Sequence, residues 1–212
     1  AAADYIAERF ENMDLLAKGT KGYFQTFSFK PKTDPHQEVN YTVKDGDSTI
    51  TGTNVIAFLN NKAENTIIIG AHYDHLGLGG GPSSKSENIE IHHGADDNAS
   101  GTSALIEIGE KLAANKDQLK RSVILIAFGG EEQGLKGSSY FVENSIVPVS
   151  QIKLMINMDM VGRLNEKNQI YMGGAGTFPE GQNLMKELGP PLGLSPVVHA
   201  GSVGGSDHVS FY

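Results

Sequence analysis

The chain has 212 residues, no cysteine, 39% hydrophobic and 20% charged residues, and a formal charge of −8. That length suits one well-buried core, and the absence of cysteine excludes disulfides and thiolate zinc sites, so any metal must use His, Asp and Glu. The acidic balance, without a Lys/Arg cluster, argues against a nucleic-acid partner, and no apolar stretch approaches the roughly 20 residues that span a bilayer.

The opening segment AAADYIAERFENMDLLAKG carries acidic residues throughout and no apolar signal core, and predicts a helix ended near Gly19. FQTFSF alternates aromatic and polar residues, as a strand with one exposed face does, and TGTNVIAFLN is a second strand candidate. Between them TDPHQEVNYTVKDGDSTI is polar, with a Pro and a Gly, and reads as an excursion such as a hairpin. TIIIG and SVILIAF show no alternation, which marks strands buried on both faces of a parallel sheet. The stretch LGLGGGPSSKSENIEIHHG is a Gly/Ser-rich loop suited to shaping a cleft.

From Asn98 to Asn115, the residues Leu105, Ile108 and Leu112 recur at helical spacing, with Ser100 or Asn98 able to cap the start. GLKGSSYFVENS predicts a short helix, IKLMINMDM a strand, NQIYMGG and PVVHA further strands, and PEGQNLMKELGPPLG a helix stopped by Gly189 and the prolines. Strands alternating with helices imply α/β layering within a single domain over 1–212.

The chemistry-bearing residues follow the apolar runs. His72 and Asp74 come after TIIIGA, Glu131 and Glu132 after SVILIAF and a Gly-Gly turn, and Asp159 after IKLMINM. Asp96 and Asp97 precede a helix start. Open α/β sheets gather ligands at the carboxyl ends of their strands, so these groups should converge. Several convergent carboxylates cannot all stay ionised without cations, and the simplest resolution is a metal centre, with a pair of metals expected. His72 and Asp74, two apart on an extended strand, point the same way, as a metal-bound imidazole backed by a carboxylate requires. Adjacent Glu131 and Glu132 point in different directions, so one can bind metal while the other handles a proton. His75 reads as structural. Ala200-Gly201-Ser202-Val203-Gly204 has the outline of a nucleophile elbow, but no helix-forming run follows it.

GAHYDHLG, HGADDNASG, FGGEEQGLKGSSYF, INMDMVGR and GGSDHVSF match, in order and approximate spacing, the motifs of the co-catalytic zinc aminopeptidases. The chain therefore resembles family twenty-eight of the metallopeptidases, in particular its bacterial secreted leucyl aminopeptidases. The family also includes glutamate carboxypeptidase and glutaminyl cyclase relatives and, on the same fold, non-catalytic binding modules. The resemblance implies a three-layer sandwich with a central mixed, mostly parallel sheet flanked by helices. It implies that His72 and Asp159 bind one zinc, that Asp97 bridges to a second held by Glu132, that Glu131 is the general base, that Asp74 orients His72, and that the peptide after Asp97 is cis. Mn or Co could serve in place of Zn with such ligands. The substrate implied is a peptide with a free amino terminus, and the location implied is secreted or periplasmic. The family's last zinc ligand is a His beyond an SDH motif. Within these residues only His199 and His208 stand as substitutes, so the chain is expected to be a fragment whose second metal position is incompletely furnished.

Overall fold

A computed structural model describes residues 1–30, 41–79, 89–201 and 204–212. The first part of the expected polar excursion before the second strand candidate, residues 33–40, and the Gly/Ser-rich centre of the 76–94 loop lie outside the described residues.

The first helix, α1 (Ala2–Asn12), is shorter than expected. It stops because Asp14 takes a left-handed conformation (φ 56°), and the chain then turns Leu15 into the core and runs on as a two-residue strand, β1 (Leu16–Ala17). Strands β2 (Phe24–Phe29) and β3 (Ile50–Leu59) are antiparallel partners along their whole overlap. β4 (Thr66–His72) and β5 (Ser122–Phe128) form the parallel centre, and β6 (Ile152–Asn157) extends it in parallel on the far side of β4. The order across this sheet is β1-β3-β5-β4-β6, with β2 also on β3. The sheet is mixed, as expected, with its parallel part confined to β5-β4-β6 and three antiparallel strands at the amino-terminal side. A separate parallel pair, β7 (Gln169–Met172) and β8 (Ser195–Val198), lies outside it.

Every residue of β5 is buried, and successive side chains go to opposite faces. Val123, Leu125 and Ala127 join Ile69 and Ala71 of β4 beneath α1 and α2 (Gly101–Ala114), where Ile6, Phe10, Leu105 and Ile106 close the layer. Ile124, Ile126 and Phe128 face the other way, against Phe141 of α3 (Lys136–Glu143) and Phe211 of a carboxyl-terminal 3-10 turn. A fourth helix, α4 (Gly181–Leu188), ends at Gly189 as its sequence predicts and packs beside β8.

The run IKLMINM departs from the buried strand expected of it. Among the described residues β6 pairs only with β4, and its side chains are half-exposed or exposed, Ile156 among the latter. Burial on both faces needs a layer packed over each face, and a sequence window cannot report how far those layers reach along the sheet.

Candidate metal centre

The site forms where β4, β5 and β6 end, on the loops that follow them and at the start of α2. His72 is the last residue of β4 and its side chain is 1% exposed. Thr102 of α2 donates to its carbonyl (2.9 Å) and so fixes the helix start to the strand end. The His72 Nε2 atom lies 3.2 Å from Asp97 Oδ1 and 3.4 Å from Asp159 Oδ1. A second convergence shares Asp97: His75, Asp97 and Glu132 bring one donor atom each within the same small volume. Of the residues marked out in the sequence, then, His72, Asp97, Glu132 and Asp159 all meet here, with Asp97 common to both groups. His199 and His208 enter neither group.

Two networks hold these loops together. The Asp74 carboxylate accepts the backbone N–H of Glu131 on one oxygen (3.0 Å) and that of Glu132 on the other (3.2 Å), so it fastens the loop after β5 to the loop after β4. Its link to the His72 imidazole is looser: Nδ1 sits 3.2 Å from the Asp74 backbone carbonyl and 3.8 Å from its carboxylate. Gly130, at φ 77°, makes the turn that brings the two glutamates round. The second network is centred on buried Asn98. Its Oδ1 accepts the N–H groups of Gly101 (2.9 Å) and Met160 (3.2 Å), while its Nδ2 donates to the Met158 carbonyl (3.0 Å). One side chain thus caps α2 and fixes the segment carrying Asp159 to the segment carrying Asp97. Asp96 reinforces the joint by accepting the Gly162 N–H (2.9 Å), with Arg163 3.7 Å away, and this keeps it outside both donor groups. The peptide between Asp97 and Asn98 is cis, as expected.

Sequence reading left His75 as structural and treated Asn98 only as a helix cap. Asn98 stands inside the HGADDNASG block, which was the available signal. His75 had none beyond its place three residues after an expected ligand, because its partner Glu132 is 57 residues away and meets it only through the sheet.

Burial disfavours the charged form of an ionisable group. It pulls the His72 imidazole down as well, but Asp159, Glu131 and Asp74 outweigh it and push His72 up to about 9. Burial raises Glu131 to about 8, against the pull of His72 and with the help of Asp207, Glu132 and Asp159. Glu132 is raised by burial and by Asp97. Asp159 goes the other way: burial would raise it, yet the nearness of the His72 imidazole and the Ser206 hydroxyl brings it below its ordinary value. Asp207, fully buried beneath the site, is pushed up to about 7 by burial.

The donors fit a divalent metal. His72 Nε2 and Asp159 Oδ1 are both buried and, despite their proximity, neither makes a hydrogen bond, so the ring nitrogen is aimed at neither carboxylate. Donor separations of 3.2 and 3.4 Å match the edge of a tetrahedron about zinc, about 3.3–3.4 Å for bonds of ~2.0–2.1 Å. An uncompensated knot of half-buried acids around buried His72, with donors that converge without bonding each other, is the arrangement a cation resolves. A cleft of about 340 Å³ between α1 and α2 reaches Asp74 and His75 but is not lined by His72, Asp97, Glu131, Glu132 or Asp159, so it lies beside the centre rather than over it.

A mixed sheet flanked by helices, with His and carboxylate donors gathered at its carboxyl edge, defines a protein of the zinc-exopeptidase fold. Residues 54–212 match peptidase family M28, and the chain belongs to that family. It is 32% identical over 124 residues to a probable leucine aminopeptidase of Arthroderma otae, covering 57% of this chain and 32% of the relative. It is also 32% identical over 115 residues to aminopeptidase YwaD of Bacillus subtilis, covering 53% of this chain and 22% of the relative. The chain thus spans about a third or less of these curated relatives. In fold it is similar to a Zn-dependent exopeptidase from Parabacteroides distasonis (TM-score 0.69, 16% identity, 99% of this chain and 70% of that one). A glutaminyl cyclase from Bacteroides thetaiotaomicron is also similar (TM-score 0.67, 18% identity, 98% and 70%).

Proposed function

We propose that this chain carries the metal-binding and proton-transferring centre of a zinc aminopeptidase, which hydrolyses the amino-terminal bond of a peptide. The observation that supports it most is the pairing of Glu131 with Glu132. Asp74 holds both backbone N–H groups, Glu132 turns into a metal-donor group, and Glu131 belongs to neither group. His72, Asp97 and Asp159 hold one zinc, and Asp97 with Glu132 holds a second. When bound, zinc polarises the scissile carbonyl and acidifies water. Glu131 takes the proton of the attacking water and passes it to the leaving amine, a task suited to a carboxyl that burial raises above its ordinary value. Asp74 keeps Glu131 in place through the backbone, and Asn98 keeps Asp159 and Asp97 at their mutual distance.

The test combines elemental analysis of the purified protein, turnover of aminoacyl p-nitroanilides, and the Glu131→Gln variant. The expected result is one zinc held tightly and a second held weakly, any activity abolished by chelation and restored by zinc, and a loss of roughly 10²–10⁴ in rate for fully metallated Glu131→Gln. Near-normal turnover by that variant would remove Glu131 from the mechanism. Cyclised product from amino-terminal glutaminyl peptides, with no hydrolysis of p-nitroanilides, would replace aminopeptidase by glutaminyl cyclase.

A further inference from the structure

We infer that Asn54 is a positioning residue for Glu131: its buried side chain closes the neck of the loop that carries Glu131 and Glu132. The inference rests on the reading of Glu131 as the base and deepens it, because Asp74 grips that loop at the two glutamates and not where it leaves β5 and enters α3.

The loop leaves β5 at Gly129 and enters α3 at Lys136. Asn54 of β3 is fully buried and spans these two ends: its Oδ1 accepts the Gly129 N–H (3.1 Å) and its Nδ2 donates to the Gly137 carbonyl (2.9 Å). Nδ2 also donates to Oε1 of buried Gln25 on β2 (3.0 Å), whose Nε2 donates to the carbonyl of Asn144, just past the far end of α3 (3.1 Å). Backbone groups at both ends of this bonded row fix which amide atom is which, and both Nδ2 hydrogens are used. A carboxylate at position 54 would lack the donors, and an aliphatic side chain would lack the acceptor as well. The backbone is shaped for the contact. A Cβ on Gly129 would stand 2.6 Å from the Thr53 carbonyl oxygen, and one on Gly137 would overlap the Asn54 amide and the Gly129 carbonyl, so glycine at both ends lets β3, the loop and α3 meet around one side chain. Beyond the neck the loop is wound on itself: the Gly130 carbonyl accepts the Lys136 N–H (2.9 Å), and the Glu131 carbonyl accepts those of Gly134 (2.7 Å) and Leu135 (2.9 Å). Backbone bonded in this way moves as one piece, so a shift at Gly129 or Gly137 carries Glu131 with it. Loss of the Asn54 amide leaves two buried backbone groups unpaired at the neck, and Asp74 alone then sets the place of the base. Misplacement by about 1 Å costs on the order of 10²-fold in rate.

Amide hydrogen exchange, resolved residue by residue in the metal-free protein, tests the clamp apart from the chemistry. Asn54→Ala breaks it, whereas Gln25→Leu removes a buried amide from the same network and leaves both Asn54 bonds to the loop. In Asn54→Ala the Glu131, Glu132 and Lys136 amides should exchange at least about tenfold faster than in wild type. In Gln25→Leu they should stay within about twofold of wild type, even where the core amides of Ile68 and Leu125 report a less stable protein. Protection of those core amides also shows that each variant is folded. Asn54→Ser, whose short hydroxyl meets one end of the neck at most, is read in the same way and stands in where Asn54→Ala does not fold. With zinc bound, kcat on aminoacyl p-nitroanilides should fall at least about tenfold in Asn54→Ala with KM within about twofold, and Gln25→Leu should keep the wild-type rate. Loop amides as slow in Asn54→Ala as in wild type, or equally fast in both variants, would overturn the clamp. Faster loop amides with a wild-type kcat would overturn the positioning of Glu131 and leave the aminopeptidase reading intact. Absence of turnover in wild type would count against that reading, and the exchange rates would still decide whether Asn54 holds the loop.

Discussion

The two donor groups that meet at Asp97 rest on different kinds of support. His72 ends a central strand with neighbours on both sides, its side chain is 1% exposed, and its carbonyl is tied to α2. His75 stands three residues further on, in a loop, with its side chain 21% exposed and its ring against a glycine turn. The first group is therefore set by the sheet itself, and the second by loops that Asp74 and Gly94 hold in place. Preorganised donors on a strand end lose little freedom on binding metal, while loop donors must be ordered, so the group of His72 should fill first and release last.

Removal of the shared ligand gives the largest effect. Asp97→Ala should weaken both positions by more than the ~10–100-fold that loss of an outer partner costs, seen as loss of zinc on dialysis. Retention of either zinc at full affinity would show that the groups are independent and that Asp97 does not join them.

Next in size is the joint that both groups depend on. Asn98→Ala leaves the N–H groups of Gly101 and Met160 without their acceptor, at about 1–3 kcal/mol for each buried orphan. Urea unfolding of the metal-free protein should show that loss, and zinc titration should show weakened binding at the His72 group, because Asp159 is no longer held against Asp97. A variant as stable as wild type would mean that water replaces the side chain.

Asp74→Asn sharpens the contrast from the other side. An amide can accept only one of the two N–H groups of Glu131 and Glu132, so the loop group should lose about tenfold in zinc affinity while the strand-end group keeps its own. Equal losses at both would show that Asp74 acts through the His72 imidazole instead.

The smallest effect concerns pH. Burial pushes Asp207 from its ordinary 3.8 to about 7, so the folded chain holds that proton more tightly than the unfolded chain does. Stability from this group is complete below the unfolded value and is lost as pH rises through about 7. In chelator, the stability of wild type should therefore fall as pH rises from about 4 to 7, and Asp207→Asn should remove that part of the fall, leaving the parts from Glu131 and His72, raised to about 8 and about 9. An unchanged slope would place the titrating group elsewhere.

The strands of the inner sheet were legible because seven consecutive apolar residues, as in SVILIAF, have few outcomes other than burial on two faces. The positions of His72, Glu132 and Asp159 were legible because polar groups directly after such runs must emerge at one edge of the sheet, and that of Asp97 from its place before a helix start and within the HGADDNASG motif. The early stop of α1 was not, since it depends on Leu15 finding a place under the sheet, nor was the exposure of β6, since a sequence window cannot report how far the packed layers reach along the sheet. By itself the sequence determined which residues reach the carboxyl edge, through local periodicity and the family motifs. Only the tertiary structure decided which of them touch: that Asp74 grips the backbone of Glu131 and Glu132, that Asn98 joins two loops, and that His75 faces Glu132. Those pairings span some 57 to 62 residues and depend on strand order and register, which no local pattern encodes.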